Sequence, residues 1–220
     1  RTMKARLLAA LLATGVSAQA LAQSTPDRTV LPVPRTPFTG SIAENVHDST
    51  PRPVRPVTAP AGAPNVLVMM SDDVGFAMSS AFGGPVPTPN MEKLAAAGQR
   101  YNRFHTTGIC SPSRAALLTG RNHHNAGVGF LSDLPSGFPG YGGEILPETA
   151  TIAQVLRLNG YSTAMFGKHH NVPSGERSEA GPFDNWPTGL GFEYFYGFPH
   201  GDTDQYEPNL HRGTARLGRT

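Results

Sequence analysis

The sequence predicts an α/β fold, with a mostly parallel central sheet flanked by helices. Three observations carry this expectation. Asn65-Val66-Leu67-Val68-Met69-Met70 is apolar on both alternations and stops at Ser71-Asp72-Asp73, as a strand covered on both faces would. Helical stretches follow, with proline near their starts and glycine at their ends. Short apolar runs then alternate with those helices, the order that parallel strands need for their crossovers.

The elements are predicted in chain order as follows. Thr88-Pro89 opens a helix, Met91, Leu94 and Ala95 give it one apolar stripe, and Gly98 stops it. Gln99 to His105 reads as a second strand. The next helix starts at Cys110, with Pro112 early, Ala115 to Leu118 propagating it and Gly120 ending it. Thr149 to Leu158 reads as another, with Ile152, Val155 and Leu156 on one side and Gly160 as terminator. Tyr161 to Phe166 is predicted as a strand halted by Gly167-Lys168, and Phe192 to Tyr196 as one more.

A chain of 220 residues can bury a core of its own. Its 25 Gly and 21 Pro imply many turns. The net charge of +2, without a stripe of Lys or Arg, argues against nucleic acid as a partner. Lys4 and Arg6 before the apolar run Leu7 to Leu12, with small residues at Ala18, Ala20 and Ala22, read as a signal peptide over residues 1–22. That run is too short for a stable membrane span, so the protein is expected to be secreted, into the periplasm. Arg1 and Thr2 ahead of Met3 suggest a translated fragment with an arbitrary start. Residues 23–62, rich in Pro, Thr, Arg and Ser, read as a linker or extended arm, and residues 63–220 as the folded domain.

In open parallel sheets, chemistry gathers beyond the carboxyl ends of strands. Asp72 and Asp73 lie at one predicted end, Lys168 and His170 at another, and Cys110 at a helix start. Adjacent carboxylates repel unless a cation lies between them, and hard oxygen donors suit calcium or magnesium; a solvated turn is the plain alternative. Cys110 is the chain's single cysteine, so it forms no internal disulfide. It could be a thiolate nucleophile, activated by the helix start and Arg114, or a soft metal ligand, or inert. Arg114 lies one turn on and could meet an anion or make a surface ion pair. Lys168 and His170 share a side if the chain is extended there, and could grip tetrahedral oxygens and move a proton. His123, His124 and His169 point to no particular role, and Tyr194, Phe195 and Tyr196 read as packing.

Cys110-Ser111-Pro112-Ser113-Arg114, running on through Ala115 to Thr119-Gly120-Arg121, resembles the signature of the type I, formylglycine-dependent sulfatases of the arylsulfatase kind. Asn65 to Gly75, Gly160 to His170 and Gly191 to Gly197 also resemble that family's segments, so the likeness covers about residues 63 to 210. It implies an alkaline-phosphatase-like sulfatase fold, incomplete in this chain, and hydrolysis of sulfate monoesters. It also implies that a maturation enzyme oxidises Cys110 to Cα-formylglycine. One hydroxyl of the hydrated aldehyde then attacks sulfur, and the second later expels sulfate. By the same likeness, Asp72, Asp73 and modified Cys110 hold one calcium ion, Arg114 steadies the hydrate, Lys168 binds the sulfate, and His170 meets hydrate or sulfate oxygens.

The family commonly has Trp between its Lys and His, where this chain has His169. Sulfatases are also much longer, and a later segment supplies an Asp-Asn metal pair, a His and a Lys that this chain does not reach. The likeness therefore implies an N-terminal fragment, inactive and poorly stable alone. His200 and His211 are not assigned those missing roles. Two other functions fit the same residues: a phosphate or phosphonate monoester hydrolase of the same superfamily, and a non-catalytic anion- or carbohydrate-binding relic.

Overall fold

The computed structural model describes residues 37–52 and 56–218. The predicted signal peptide lies outside the described residues. The chain divides into two compact units, Arg1–Arg55 and Pro56–Thr220. In the first, Ser41 and Thr50 exchange backbone hydrogen bonds of 3.0 and 2.9 Å across a 3-10 turn at Val46–Asp48. Asn45 caps that turn by accepting from the His47 amide at 3.0 Å.

The second unit carries the fold. Its helices are α1, Pro89–Ala97; α2, Cys110–Thr119; and α3, Ile152–Leu158. Helix α1 has proline at its first position, and α2 ends on Gly120 in the left-handed conformation at φ 65°, which glycine adopts without strain. Helix α3 begins with a capping box. The Thr151 hydroxyl accepts from the Gln154 amide at 3.2 Å, and the Gln154 side chain accepts from the Thr151 amide at 2.8 Å. Near the start of this unit, the Ala59 amide donates to the Gly160 carbonyl at 3.2 Å. A Cβ on Gly160 would fall 2.3 Å from the Thr58 backbone, so that approach requires glycine.

Four strands form one mixed sheet in the order β1-β2-β3-β4: Ala164–Lys168, Tyr194–Phe198, His211–Arg212 and Ala215–Arg216. Only β1 and β2 are parallel, with Ala164 opposite Tyr194 and Lys168 opposite Phe198; the other two pairings are antiparallel. The expectation of a mostly parallel sheet is corrected accordingly. Residues 65–70 and 99–105, predicted as strands, pair with no neighbour among the described residues. Leu67 is 81% exposed and Phe104 75% exposed. Apolar alternation supplies a strand's side chains, but the ladder needs a partner edge, and none among the described residues lies beside these segments.

Two apolar clusters hold the unit. Ala115 and Leu118 of α2 pack with Ala126, Val128, Ile145 and Leu190, while Val172, Trp186 and Phe195 form the second cluster. Phe195 faces inward from β2, as its packing role predicts. Among the described residues, no helix is long and apolar enough to cross a membrane.

Candidate functional site

Helix α2 buries a polar face as well as an apolar one, because Ser111 and Arg114 are covered along with Ala115 and Leu118. The Ser111 hydroxyl donates to the His170 carbonyl at 2.8 Å and accepts from the Ser132 amide at 3.2 Å. Asn171 Nδ2 donates to the Ser111 carbonyl at 3.0 Å. These bonds tie the start of α2, and with it Cys110, to the chain leaving β1.

That tie brings remote residues together. Asp72, Asp73, Cys110, Lys168 and His170 all line one cavity of about 620 Å³. Arg114 lies behind it, donating through Nη1 to the Lys168 carbonyl at 2.6 Å and through Nη2 to Asp72 Oδ1 at 3.2 Å. Lys168 Nζ donates to Asp72 Oδ2 at 2.7 Å. Burial works to raise the Asp72 pKa, but hydrogen bonds and charge from Lys168 and Arg114 outweigh it and hold the carboxyl below its ordinary value. Among the described residues, the non-glycine positions with positive φ are Asp73, at 51°, and His170, at 61°, both on this cavity. Asp and His tolerate that region better than most residues, and departures of this kind collect at functional sites.

Lys168 and His170 share the cavity, but not through strand periodicity. Strand β1 ends at Lys168, and the left-handed turn at His170 returns its ring to the same side. His169 is fully buried, with Nε2 3.3 Å from the Asn185 carbonyl, so the residue where the family commonly has Trp forms no part of the cavity wall. His123 and His124 lie against each other with ring centroids 4.1 Å apart and planes tilted by 42°, and His124 meets Tyr141, away from the cavity. His211 lies buried in β3, edge-on to Trp186.

Sequence reasoning missed Asp133, Arg177, His200, Gly201 and Asp202, which line the same cavity. All come from loops without a motif. His170 Nε2 lies 2.7 Å from Asp133 Oδ2, and Arg177 pairs with the other oxygen of that carboxylate. Burial pushes the His170 pKa down; Asp133 opposes this, and Lys168 and Arg177 add to it. His200 is also lowered, by burial and then by Arg177.

The carboxylates of Asp72 and Asp73 are hard oxygen donors that fit calcium chemically. They supply only part of the six to eight oxygens that ion takes. Among the described residues, no group of three His, Cys, Asp or Glu side chains gathers to complete the shell. The Cys110 thiol is a soft donor and does not suit calcium unless converted to an oxygen group.

Burial pushes the His169 pKa from 6.5 down to about 3. Between pH 6.5 and 3 the unfolded chain therefore binds a proton that the folded ring refuses. This contribution to stability is full above pH 6.5 and declines as the pH falls toward 3. His170, His200 and His211, also lowered by burial, act in the same sense. Urea midpoints measured across this range should fall with acidity, and His169→Gln should make the decline shallower. An unaltered slope in that variant would remove His169 from the explanation.

The family model described as Sulfatase matches residues 64–217. An uncharacterized sulfatase of Schizosaccharomyces pombe is 36% identical over 161 residues, covering 69% of this chain and 28% of that protein. An arylsulfatase of Klebsiella aerogenes is 33% identical over 161 residues, covering 71% of this chain and 32% of that protein. The chain thus spans about a third or less of the length of these relatives. The crystal structure of Ps i-CgsB in complex with k-i-k-neocarrahexaose superposes with a TM-score of 0.50 at 24% identity, covering 68% of this chain and 36% of that one, a likeness of fold alone. With a family match that spans most of its length, the chain belongs to the sulfatase family.

Proposed function

We propose that this chain is the N-terminal part of the catalytic domain of an exported, arylsulfatase-like enzyme that hydrolyses sulfate monoesters. The observation that carries this reading is the convergence of Asp72, Asp73, Cys110, Lys168 and His170 on one cavity, from segments far apart in sequence. Residues 1–22 support export to the periplasm, and the Cys110 motif supports modification by a formylglycine-installing enzyme.

As hydrated Cα-formylglycine, position 110 would supply an oxygen nucleophile for sulfur and a second hydroxyl whose deprotonation releases sulfate. The chain's own residues supply the electrostatics. Lys168, with two donor positions left beside its bond to Asp72, neutralises the sulfate oxygens. Arg114 holds Asp72 and the Lys168 carbonyl in place and so fixes the groups that meet the anion. His170, on the wall of the same cavity as Cys110, holds or moves the proton exchanged during attack and release. Asp72 and Asp73 would hold calcium, which when bound offsets further negative charge on the sulfate.

The test is the matured, calcium-supplied enzyme assayed on an aryl sulfate and its matched aryl phosphate. A higher kcat/KM for the sulfate is expected. A preference for the phosphate would assign the site to phosphate or phosphonate monoesters, and binding without turnover of either would make it a non-catalytic anion site.

A further inference from the structure

His170 is held on several sides by groups that no sequence motif announces. Its Nε2 lies 2.7 Å from Asp133 Oδ2, while its backbone carbonyl accepts from Ser111 at 2.8 Å. Gly201 closes the ring edge, since a Cβ there would fall 2.6 Å from both Cε1 and Nε2. The carboxylate is itself anchored. Arg177 pairs with Asp133 Oδ1 and donates through Nε to the Val172 carbonyl at 2.8 Å. Burial works to raise the Asp133 pKa, but the bond from His170 and the charge of Arg177 hold it below the ordinary carboxylate value.

We propose that Asp133 is a positioning residue for His170, fixing the ring orientation in the cavity that Cys110 also lines and placing the proton of the neutral imidazole on Nε2. An ionised carboxylate can only accept, so a 2.7 Å contact requires hydrogen on the nitrogen that makes it. Nδ1, buried with no hydrogen-bond partner among the described residues, is then the nitrogen that bears the lone pair. This is the arrangement in which a base is oriented by a third group, and the third group selects the tautomer. Arg177 has the matching task of holding the carboxylate so that one oxygen always faces the ring.

The deciding measurement is long-range ¹H–¹⁵N NMR of the histidine-labelled chain, with His170 assigned from the signals lost in His170→Asn. The wild type is expected to show the Nε2–H ring. In Asp133→Asn, Arg177 can only donate, so the amide turns its oxygen toward Arg177 and its NH₂ toward Nε2. The proton is then displaced to Nδ1, whereas Asp133→Glu keeps an acceptor there and restores Nε2–H. An Nδ1–H ring in the wild type, or an Asp133→Asn ring that retains Nε2–H, would overturn the assignment. If Asp133→Asn fails to fold, the wild-type tautomer decides alone. This readout is independent of turnover, whereas any catalytic consequence rests on the proposed hydrolase function. In the matured enzyme Asp133→Asn should lower kcat by roughly 10²-fold with KM nearly unchanged. A wild type with the Nε2–H ring but no sulfate-ester turnover would support the ring assignment while overturning the hydrolase function.

Discussion

Replacing Cys110 with alanine is expected to abolish sulfate-ester turnover by the matured enzyme, a loss on the order of 10⁴-fold or more. Alanine offers no atom from which an aldehyde, and hence two geminal hydroxyls, could be made. The fold should hardly notice. Cys110 is half-buried at the first position of α2, and alanine is a good helix former, so stability should change by no more than about 0.5 kcal/mol. Activity and urea midpoint must therefore separate. Intact mass supplies the second readout: active wild type should lack the thiol sulfur at position 110 and carry carbonyl oxygen in its place. Turnover by Cys110→Ala within about tenfold of wild type would end the proposal.

Arg114 should show the opposite pattern, in which stability and activity fall together. Its side chain is 10% exposed and spans two acceptors, the Lys168 carbonyl at 2.6 Å and Asp72 at 3.2 Å. Arg114→Ala leaves the half-buried carbonyl at the end of β1 without its donor and Asp72 without one of its cations. A loss of about 1–3 kcal/mol is expected, toward the lower end because Asp72 is partly solvated. Arg114→Lys keeps the charge but not the planar fork, so it should recover only part of that stability. Both variants should lower kcat/KM by roughly 10²-fold or more, since Lys168 and Asp72 lose their common support. Urea titration and aryl sulfate kinetics on the same preparations make the test, and a wild-type-like Arg114→Lys on both would show that the fork is dispensable.

Much of the site was legible because it depends on local rules. Cys110 begins α2 as predicted, with Pro112 tolerated in its first turn and Gly120 closing it in the left-handed conformation. Gly98 and Gly160 likewise follow the helices they were predicted to stop. Capping, proline placement and left-handed glycine are decided within a few residues, so a linear reading captures them. Strand pairing is not local. Residues 65–70 have every side-chain property of a covered strand yet lie exposed, whereas the two-residue strands β3 and β4 pair from sequence too short to announce itself.

By itself, the order of residues determined where the helices stop and where α1 and α2 begin, though it opened α3 at Thr149 rather than Ile152, together with the sulfatase motif at Cys110 and the chemical types offered by Asp72, Asp73, Arg114, Lys168 and His170. The tertiary structure alone decided that His169 faces inward, that a left-handed turn at His170 returns its ring to the cavity, and that Asp133 and Arg177 stand behind that ring. The division has one physical cause. Caps and turns are settled by contacts between residues close in the chain, while the partner of a buried ring or ion is settled by which distant loops packing brings within hydrogen-bond reach.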